Sequence, residues 1–413
     1  MRILQISKAD AAGGGASRMA EELTAGLGAL GHDVVHLVGS GSTSEAARRH
    51  HLLGSFETRI VRARRKLRKH VGLIDVVPFE LAPLFADHDV RSYDVVHFHD
   101  LSTAVSPLTL VALAKLVPVV FTLHDCSAFT GGCIYPMGCE RYRAHCGRCP
   151  QLDEFPLNTA HRDFTPLYLG LRRMLHRSTV TCVAPSEWMA DSALASGNLE
   201  RRPLVLSNGI DLDLFRPRPE EEVRAELGLP AGRRIVVVSA GALDEERKGA
   251  RHAAAALRAI RDLDPLVVVV GHTRGSFVAA LDGLETRSTG YLRDAEALAS
   301  HYNAADVMLF SSLADNQPLT VMESLAVGTP VVGFATGGVP EMIVEGEQGF
   351  LVPPRDDAAL ASALRTFFER RDRPWSANAR RHAEAHFGRE RCARAHAELY
   401  RTLADGREGP VHP

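Results

Sequence analysis

The chain has 413 residues, 45% hydrophobic and 24% charged, with a formal net charge of −2. That length allows two domains of ordinary size, and the composition is that of a globular protein. The near-neutral balance gives no reason to expect nucleic acid as a partner, and no run approaches the roughly 18 uncharged apolar residues of a membrane helix.

The first residues, Met1-Arg2-Ile3-Leu4-Gln5-Ile6, read as a strand with no signal-peptide pattern before it, so a cytoplasmic protein is expected. Short apolar strands then alternate with helical patterns, the signature of a doubly wound α/β architecture. In the first half, strands are expected at 3–6, 34–38, 95–98, 119–123, 180–183 and 204–206, with helices at 18–30, 107–116, 167–176 and 187–195. The pattern restarts with strands at 235–238, 266–270, 307–310 and 331–332 and helices near 250–263, 295–302 and 319–327. The polar, Pro-punctuated segment 216–222 reads as a linker region. Two Rossmann-like domains facing one another across a cleft are therefore expected. The first is 1–207, with a Cys-rich loop at 126–150, and the second is 208–388. A helix at 389–404 carries apolar residues on one face, and 405–413 reads as a flexible tail.

Several motifs carry chemistry. The first strand leads into Gly13-Gly14-Gly15 and a helix, where backbone can approach a phosphate closely. A dinucleotide fingerprint would need glycine at Arg18 and an acid where Gly39-Ser40-Gly41 stands. His97 and His99 end one strand, and His124-Asp125 follow the next, at the same carboxyl edge of the sheet. Lys248 follows the first strand of the second half, on a loop aimed at the crevice where open α/β sheets bind ligands. Asp315 precedes a helix started by Pro318 and closed by Gly328, and Glu323 lies about one and a half turns into it. Taken singly, each has a bland reading as well: a cap, a solvated loop or a satisfied structural histidine.

In order, these pieces resemble glycosyltransferase family 4, the retaining nucleotide-sugar transferases with the GT-B fold. The resemblance covers essentially the whole chain. It rests on Gly13–Gly15, Gly31-His32-Asp33-Val34, Asp94-Val95-Val96-His97, Thr122-Leu123-His124-Asp125, Ala184-Pro185-Ser186-Glu187-Trp188 and Ser207-Asn208-Gly209-Ile210-Asp211. It continues through Arg247-Lys248-Gly249, Tyr302 to Val307, the Asp315/Glu323 pair, Gly328-Thr329-Pro330 and Gly337-Gly338-Val339-Pro340-Glu341. The resemblance implies that Lys248 neutralises the donor diphosphate and Glu323 holds the ribose hydroxyls. Asp315 would sit at the donor sugar, with Asn316, Gln317, Leu319 and Thr320 offering backbone N–H groups. Gly14 and Gly15 would close on the phosphates, His124 would contact the sugar near the reacting carbon, and Tyr291 or Leu292 would cradle the base. The catalytic set is thus His124, Lys248 and Asp315, with His97, His99 and Asp125 on the acceptor side, and the final helix packing back on the first domain.

The chain departs from the family pattern at three places. Asp315 stands for the usual Glu, one methylene shorter. Ala242 replaces a common Arg, for which Arg247 is the expected substitute. Pro318 removes one backbone donor. Such enzymes retain the anomeric configuration, and the family's account is a front-face displacement without a catalytic metal.

Cys133, Cys139, Cys146 and Cys149 follow the spacing C-x5-C-x6-C-x2-C and resemble a subgroup of the family with a four-cysteine loop after the His-Asp pair. A structural zinc, two disulfides or four free thiols all remain open readings of this loop. The basic run 59–69 reads either as a solvated helix face or as an anchor for an anionic membrane surface or acidic lipid-linked acceptor. The expected activity is retaining transfer from a nucleoside-diphosphate sugar, UDP- or GDP-linked, to a glycan, lipid-linked or small-molecule hydroxyl. The alternatives are a GT-B enzyme of other chemistry, such as a sugar-nucleotide epimerase, and a non-catalytic binding protein with a vestigial cleft.

Overall fold

The computed structural model describes residues 1–73, 75–102, 104–158, 162–370 and 373–406; of the tail expected at 405–413, the part from 407 lies outside them. The chain divides into two compact units, one made of Met1–Gly209 together with the residues from Glu390 onward, the other of Ile210–Arg389.

The first unit is built on strands β1 (Arg2–Ser7), β2 (Asp33–Val38), β3 (Arg49–His51), β4 (Val95–Phe98), β5 (Val119–Thr122), β6 (Thr181–Ala184) and β7 (Leu204–Val205). They form one sheet in the order β3-β2-β1-β4-β5-β6-β7, and every pairing is parallel. Helices cover both faces of such a sheet, so its central strands are buried on both sides and mainly apolar rather than alternating, as in Val95-Val96-His97-Phe98. The second unit repeats the plan with β8 (Ile235–Ala242), β9 (Leu266–His272), β10 (Thr286–Gly290), β11 (Val307–Phe310), β12 (Val331–Phe334) and β13 (Gly349–Val352). Their order is β10-β9-β8-β11-β12-β13, again all parallel. Val236, Val238, Val267, Val269, Leu309 and Phe334 anchor its apolar core. Both units are thus Rossmann-like, as the alternating pattern predicts.

Strands β3, β10 and β13 have no counterpart in the sequence reading. All three lie at sheet edges, where one side is unpaired; the apolar demand is weak at β3 and β10, whereas β13 is the short apolar run Gly349-Phe350-Leu351-Val352. The sequences Arg49-His50-His51 and Thr286-Arg287-Ser288-Thr289-Gly290 consequently carry no apolar run.

Segment 216–222 is not a loose linker. Asn303 binds its first three residues twice, accepting from the Arg218 N–H at 2.8 Å and donating to the Arg216 carbonyl at 3.0 Å. Pro219 then caps a helix, Glu220–Glu226, whose Arg224 is buried against Asp306. Prolines here start structure rather than interrupt it.

The last helix, Arg389–Ala404, belongs almost entirely to the first unit. Tyr400 is fully buried there, accepting from Gln5 Nε2 at 3.3 Å and bonded to His97 Nδ1 at 2.5 Å.

Candidate active site

Each sheet has a switch point, where the chain finishes building one side and crosses back to start the other. In the second unit it falls between β8 and β11, and ligands of open α/β sheets bind beyond the carboxyl ends of such strands. The loop after β8 carries Arg247-Lys248-Gly249, and the loop after β11 carries Asp315. Three bonds tie the two loops together. Ser311 Oγ donates to the Lys248 carbonyl at 2.9 Å, the Leu313 N–H donates to the Arg247 carbonyl at 2.6 Å, and Lys248 Nζ meets Asp315 Oδ2 at 2.7 Å. Gly249 has φ +65°, and a Cβ there would lie 2.0 Å from the Ser311 carbonyl oxygen, so only glycine lets the loops meet this closely.

Burial raises the Asp315 pKa, but Lys248 and then Arg247 more than offset it, and the carboxyl ends below its usual range. Arg247 Nη1 lies 3.9 Å from Asp315, so the substitute expected for Ala242 does point to this cluster, while also pairing with Glu245 at 2.7 Å. The helix Leu319–Ala326 begins directly after Pro318, with Asn316 and Leu319 buried and Gln317 and Thr320 half-buried. Its free N–H groups and dipole favour an anion at this end. Glu323 is fully buried, 3.5 Å from the Tyr302 hydroxyl, which is itself 2.9 Å from Ser239 Oγ.

Tyr291, expected near a base, stacks on His272 with centroids 4.9 Å apart and planes 3° from parallel. His272 ends β9 and is exposed; the sequence reading missed it, although a histidine closing the run Val267-Val268-Val269-Val270-Gly271 stands at a strand's carboxyl end.

In the first unit the switch point lies between β1 and β4. Gly14 has φ +104°, and Gly14 and Gly15 are exposed with nothing within 4 Å of a built Cβ, so their backbone is open to close approach. Gly13 instead answers to packing, since a Cβ would lie 2.4 Å from that of Ala9.

His97 and His99, expected on the acceptor side, lie inside the first unit. Both are buried, and their ring nitrogens are engaged within the protein: His97 by Tyr400 and by Thr122 Oγ1 at 2.7 Å, His99 by Gln5 Oε1 at 2.7 Å and His124 Nε2 at 3.1 Å. Asp125 caps the turn Cys126–Ala128, accepting from the Ser127 N–H at 2.8 Å. Of this set His124 and Asp125 keep partial exposure. Burial, with His396 and Lys8 nearby, pushes the His124 pKa down to about 3, so this histidine is neutral. Asp100, just beyond β4, was also missed by the sequence reading; burial raises it to about 6, and its Oδ2 has no hydrogen-bond partner.

The four loop cysteines are free thiols lining one small cavity together with Arg141 and Tyr142. Burial lifts Cys133 to about 12 and Cys146 to about 11, and the neighbouring thiols add to the rise. The donor chemistry suits zinc, yet as placed no three His, Cys, Asp or Glu among the described residues form a group that could hold a metal ion.

The basic run forms the helix Glu57–Val71, with Arg59, Arg62, Arg65, Lys66, Arg68 and Lys69 exposed. Arg64 is different: it turns inward to the fully buried Glu80 at 3.0 Å and to the Ala104 carbonyl at 2.8 Å. No described helix is long and apolar enough to cross a membrane.

Comparison with known families places these features. Residues 13–214 match the model for Glycosyltransferase Family 4, and residues 234–370 match the model for Glycosyl transferases group 1. Each of the two units thus contains a segment that matches a glycosyltransferase family model. Among curated relatives, a D-inositol 3-phosphate glycosyltransferase of Geodermatophilus obscurus is 36% identical over 221 residues, covering 50% of this chain and 48% of the relative. The matched segment spans about half the length of the first curated relatives. Sucrose-phosphate synthase of Thermosynechococcus elongatus superposes with a TM-score of 0.73 at 21% identity, over 98% of this chain and 100% of that one. Anabaena HepE, in complex with UDP and glucose, gives 0.68 at 18% identity, over 98% and 100%. These structures establish the GT-B type of fold.

Proposed function

We propose that the chain is a retaining glycosyltransferase that takes a sugar from a nucleoside diphosphate, UDP or GDP, and passes it to an acceptor hydroxyl. The observation that carries this reading is the cluster of Arg247, Lys248 and Asp315 at the β8/β11 switch point, beside a helix N-terminus and the buried Glu323. Two cations and free N–H groups suit a diphosphate, and a carboxylate held ionised suits a sugar hydroxyl. Glu323 would accept from the ribose hydroxyls, and the His272–Tyr291 stack offers a flat face to a base.

In the chemical step the bond from the anomeric carbon to the diphosphate oxygen breaks as the acceptor oxygen bonds to the same face. The acceptor's proton passes to the departing phosphate oxygen. Lys248 and Arg247 stabilise the charge that grows on that leaving group, which is the larger share of catalysis in a step without a covalent intermediate. No catalytic metal is invoked. The exposed backbone of Gly14 and Gly15 is suited to phosphate oxygens, and His124 to a sugar hydroxyl. Two further roles are proposed: the cysteine loop closes on one structural zinc, and the exposed cations of Glu57–Val71 meet an anionic membrane surface.

A thermal-shift and hydrolysis screen against UDP-, GDP-, ADP- and dTDP-sugars tests the reading. One of them should raise the melting temperature and be turned over. If none stabilises the protein or is consumed, the transferase reading fails and the vestigial-cleft alternative takes its place.

A further inference from the structure

A chain of hydrogen bonds links His124 to the C-terminal helix, and its direction is set by one side chain. The Gln5 carboxamide aims its oxygen at His99 Nε2 (2.7 Å) and its nitrogen at the Tyr400 hydroxyl (3.3 Å). A carboxamide oxygen only accepts, so His99 Nε2 carries a proton. His99 is neutral, since burial and the surrounding His97, His124, His36 and His396 keep its pKa well below the usual value. Its Nδ1 is then the lone-pair nitrogen, and the contact to His124 Nε2 at 3.1 Å needs the proton on His124. The other arm is consistent with this. Tyr400, accepting from Gln5, donates to His97 Nδ1 at 2.5 Å, and His97 Nε2 donates to Thr122 Oγ1 at 2.7 Å. The hydroxyls of Tyr400 and Thr122 can donate or accept, so it is the carboxamide oxygen of Gln5, which only accepts, that sets the direction toward His99 and His124.

We propose that Gln5, acting through His99, is a positioning residue that holds His124 in the Nε2-protonated tautomer, with Nδ1 the lone-pair nitrogen. The role of His124 rests on the proposed function above; the tautomer does not. A histidine so held takes a proton-donating sugar hydroxyl and is useless as a general acid, which fits a step where the departing phosphate itself takes the acceptor's proton. The same chain explains why a glutamine sits fully buried in the middle of β1, where an aliphatic residue would otherwise pack.

The test reads the tautomer directly. Long-range proton–nitrogen NMR of protein labelled with 15N-histidine, with His124 assigned by its loss in His124→Ala, should show a protonated Nε2 and an unprotonated Nδ1. Gln5→Met removes the acceptor at similar volume; it should mix the two tautomers of His124 and lower kcat about tenfold or more, leaving KM for the donor unchanged. Gln5→Glu keeps an acceptor facing His99 and should keep both the tautomer and most of the activity. A wild-type His124 protonated on Nδ1, or a Gln5→Met protein with an unaltered tautomer, overturns the proposal. Where Gln5→Met fails to fold, the wild-type spectrum alone decides. If the tautomer is as stated but His124→Ala keeps full kcat, the reading of His124 as a substrate contact fails while the tautomer assignment stands.

Discussion

Lys248 Nζ stands 2.7 Å from Asp315 Oδ2, and Arg247 approaches the same oxygen at 3.9 Å, so the two loops at the β8/β11 switch point meet through charge. A nucleoside diphosphate would compete with Asp315 for Lys248. Lys248→Ala should therefore abolish stabilisation by the preferred nucleoside diphosphate and lower kcat/KM by roughly two to three orders of magnitude. Asp315→Asn frees Lys248: calorimetry should find the bare diphosphate bound more tightly, while kcat falls because the sugar loses its partner. Unchanged diphosphate affinity in both variants would contradict the assignment.

Gly249→Ala addresses the same contact through the backbone. At φ +65° and 2.0 Å from the Ser311 oxygen, an added Cβ forces the loops apart. A loss of about 1–3 kcal/mol in stability is expected from denaturant melts, together with loss of donor binding. A variant as stable and as well saturated as the parent would show that the loops need not meet.

Acid should destabilise the fold. Burial holds His36, His176 and His396 at about 4 and His124 at about 3, whereas an unfolded histidine titrates near 6.5. Between these values the unfolded chain binds protons that the folded one refuses, so the stability these groups confer is complete above pH 6.5 and drains away as the pH falls toward 4. Asp100, raised to about 6, acts the other way, losing its contribution as the pH rises from 3.8 to 6, but it is one group against four. The melting temperature at pH 5 should lie clearly below that at pH 7.5. Equal values would mean these histidines are not held neutral.

The basic helix separates into two kinds of cation. Glu substitutions at Arg65, Lys66 and Lys69, all exposed, should weaken sedimentation with anionic vesicles and spare the melting temperature. Arg64→Ala should do the reverse, costing on the order of 3 kcal/mol by leaving the buried Glu80 carboxylate unmatched. Vesicle binding untouched by the triple change would restrict this helix to a solvated face.

Metal analysis of protein purified under reducing conditions tests the cysteine loop. The zinc proposal expects one equivalent per chain, released by chelator together with the appearance of four reactive thiols. Well under one equivalent, with all four thiols open to titration, removes it.

How far the sequence alone reaches varies by residue. The doubly wound plan was readable because buried parallel strands are mainly apolar runs, and the same runs place Lys248 and Asp315 on loops at strand ends and Glu323 in the helix that follows. The edge strands were not, since Arg49-His50-His51 owes its extended form to its neighbour β2 rather than to its own side chains. Histidines at strand ends proved ambiguous for a similar reason. His97, His99 and His124 have the same local setting, and only the packing of His396 and Tyr400, some 300 residues later in the chain, decides which two are enclosed. Arg64 is equally unmarked in its run of cations until Glu80 arrives.

The placement of Gln5 opposite Tyr400 also bears on the order of events during synthesis. The second unit, Ile210–Arg389, is inserted within the first, so it can fold while the ribosome still holds the last helix. The first unit has its strands early but must wait, with the buried polar row from Gln5 to His97 exposed along one flank, until residues near 400 emerge to close it.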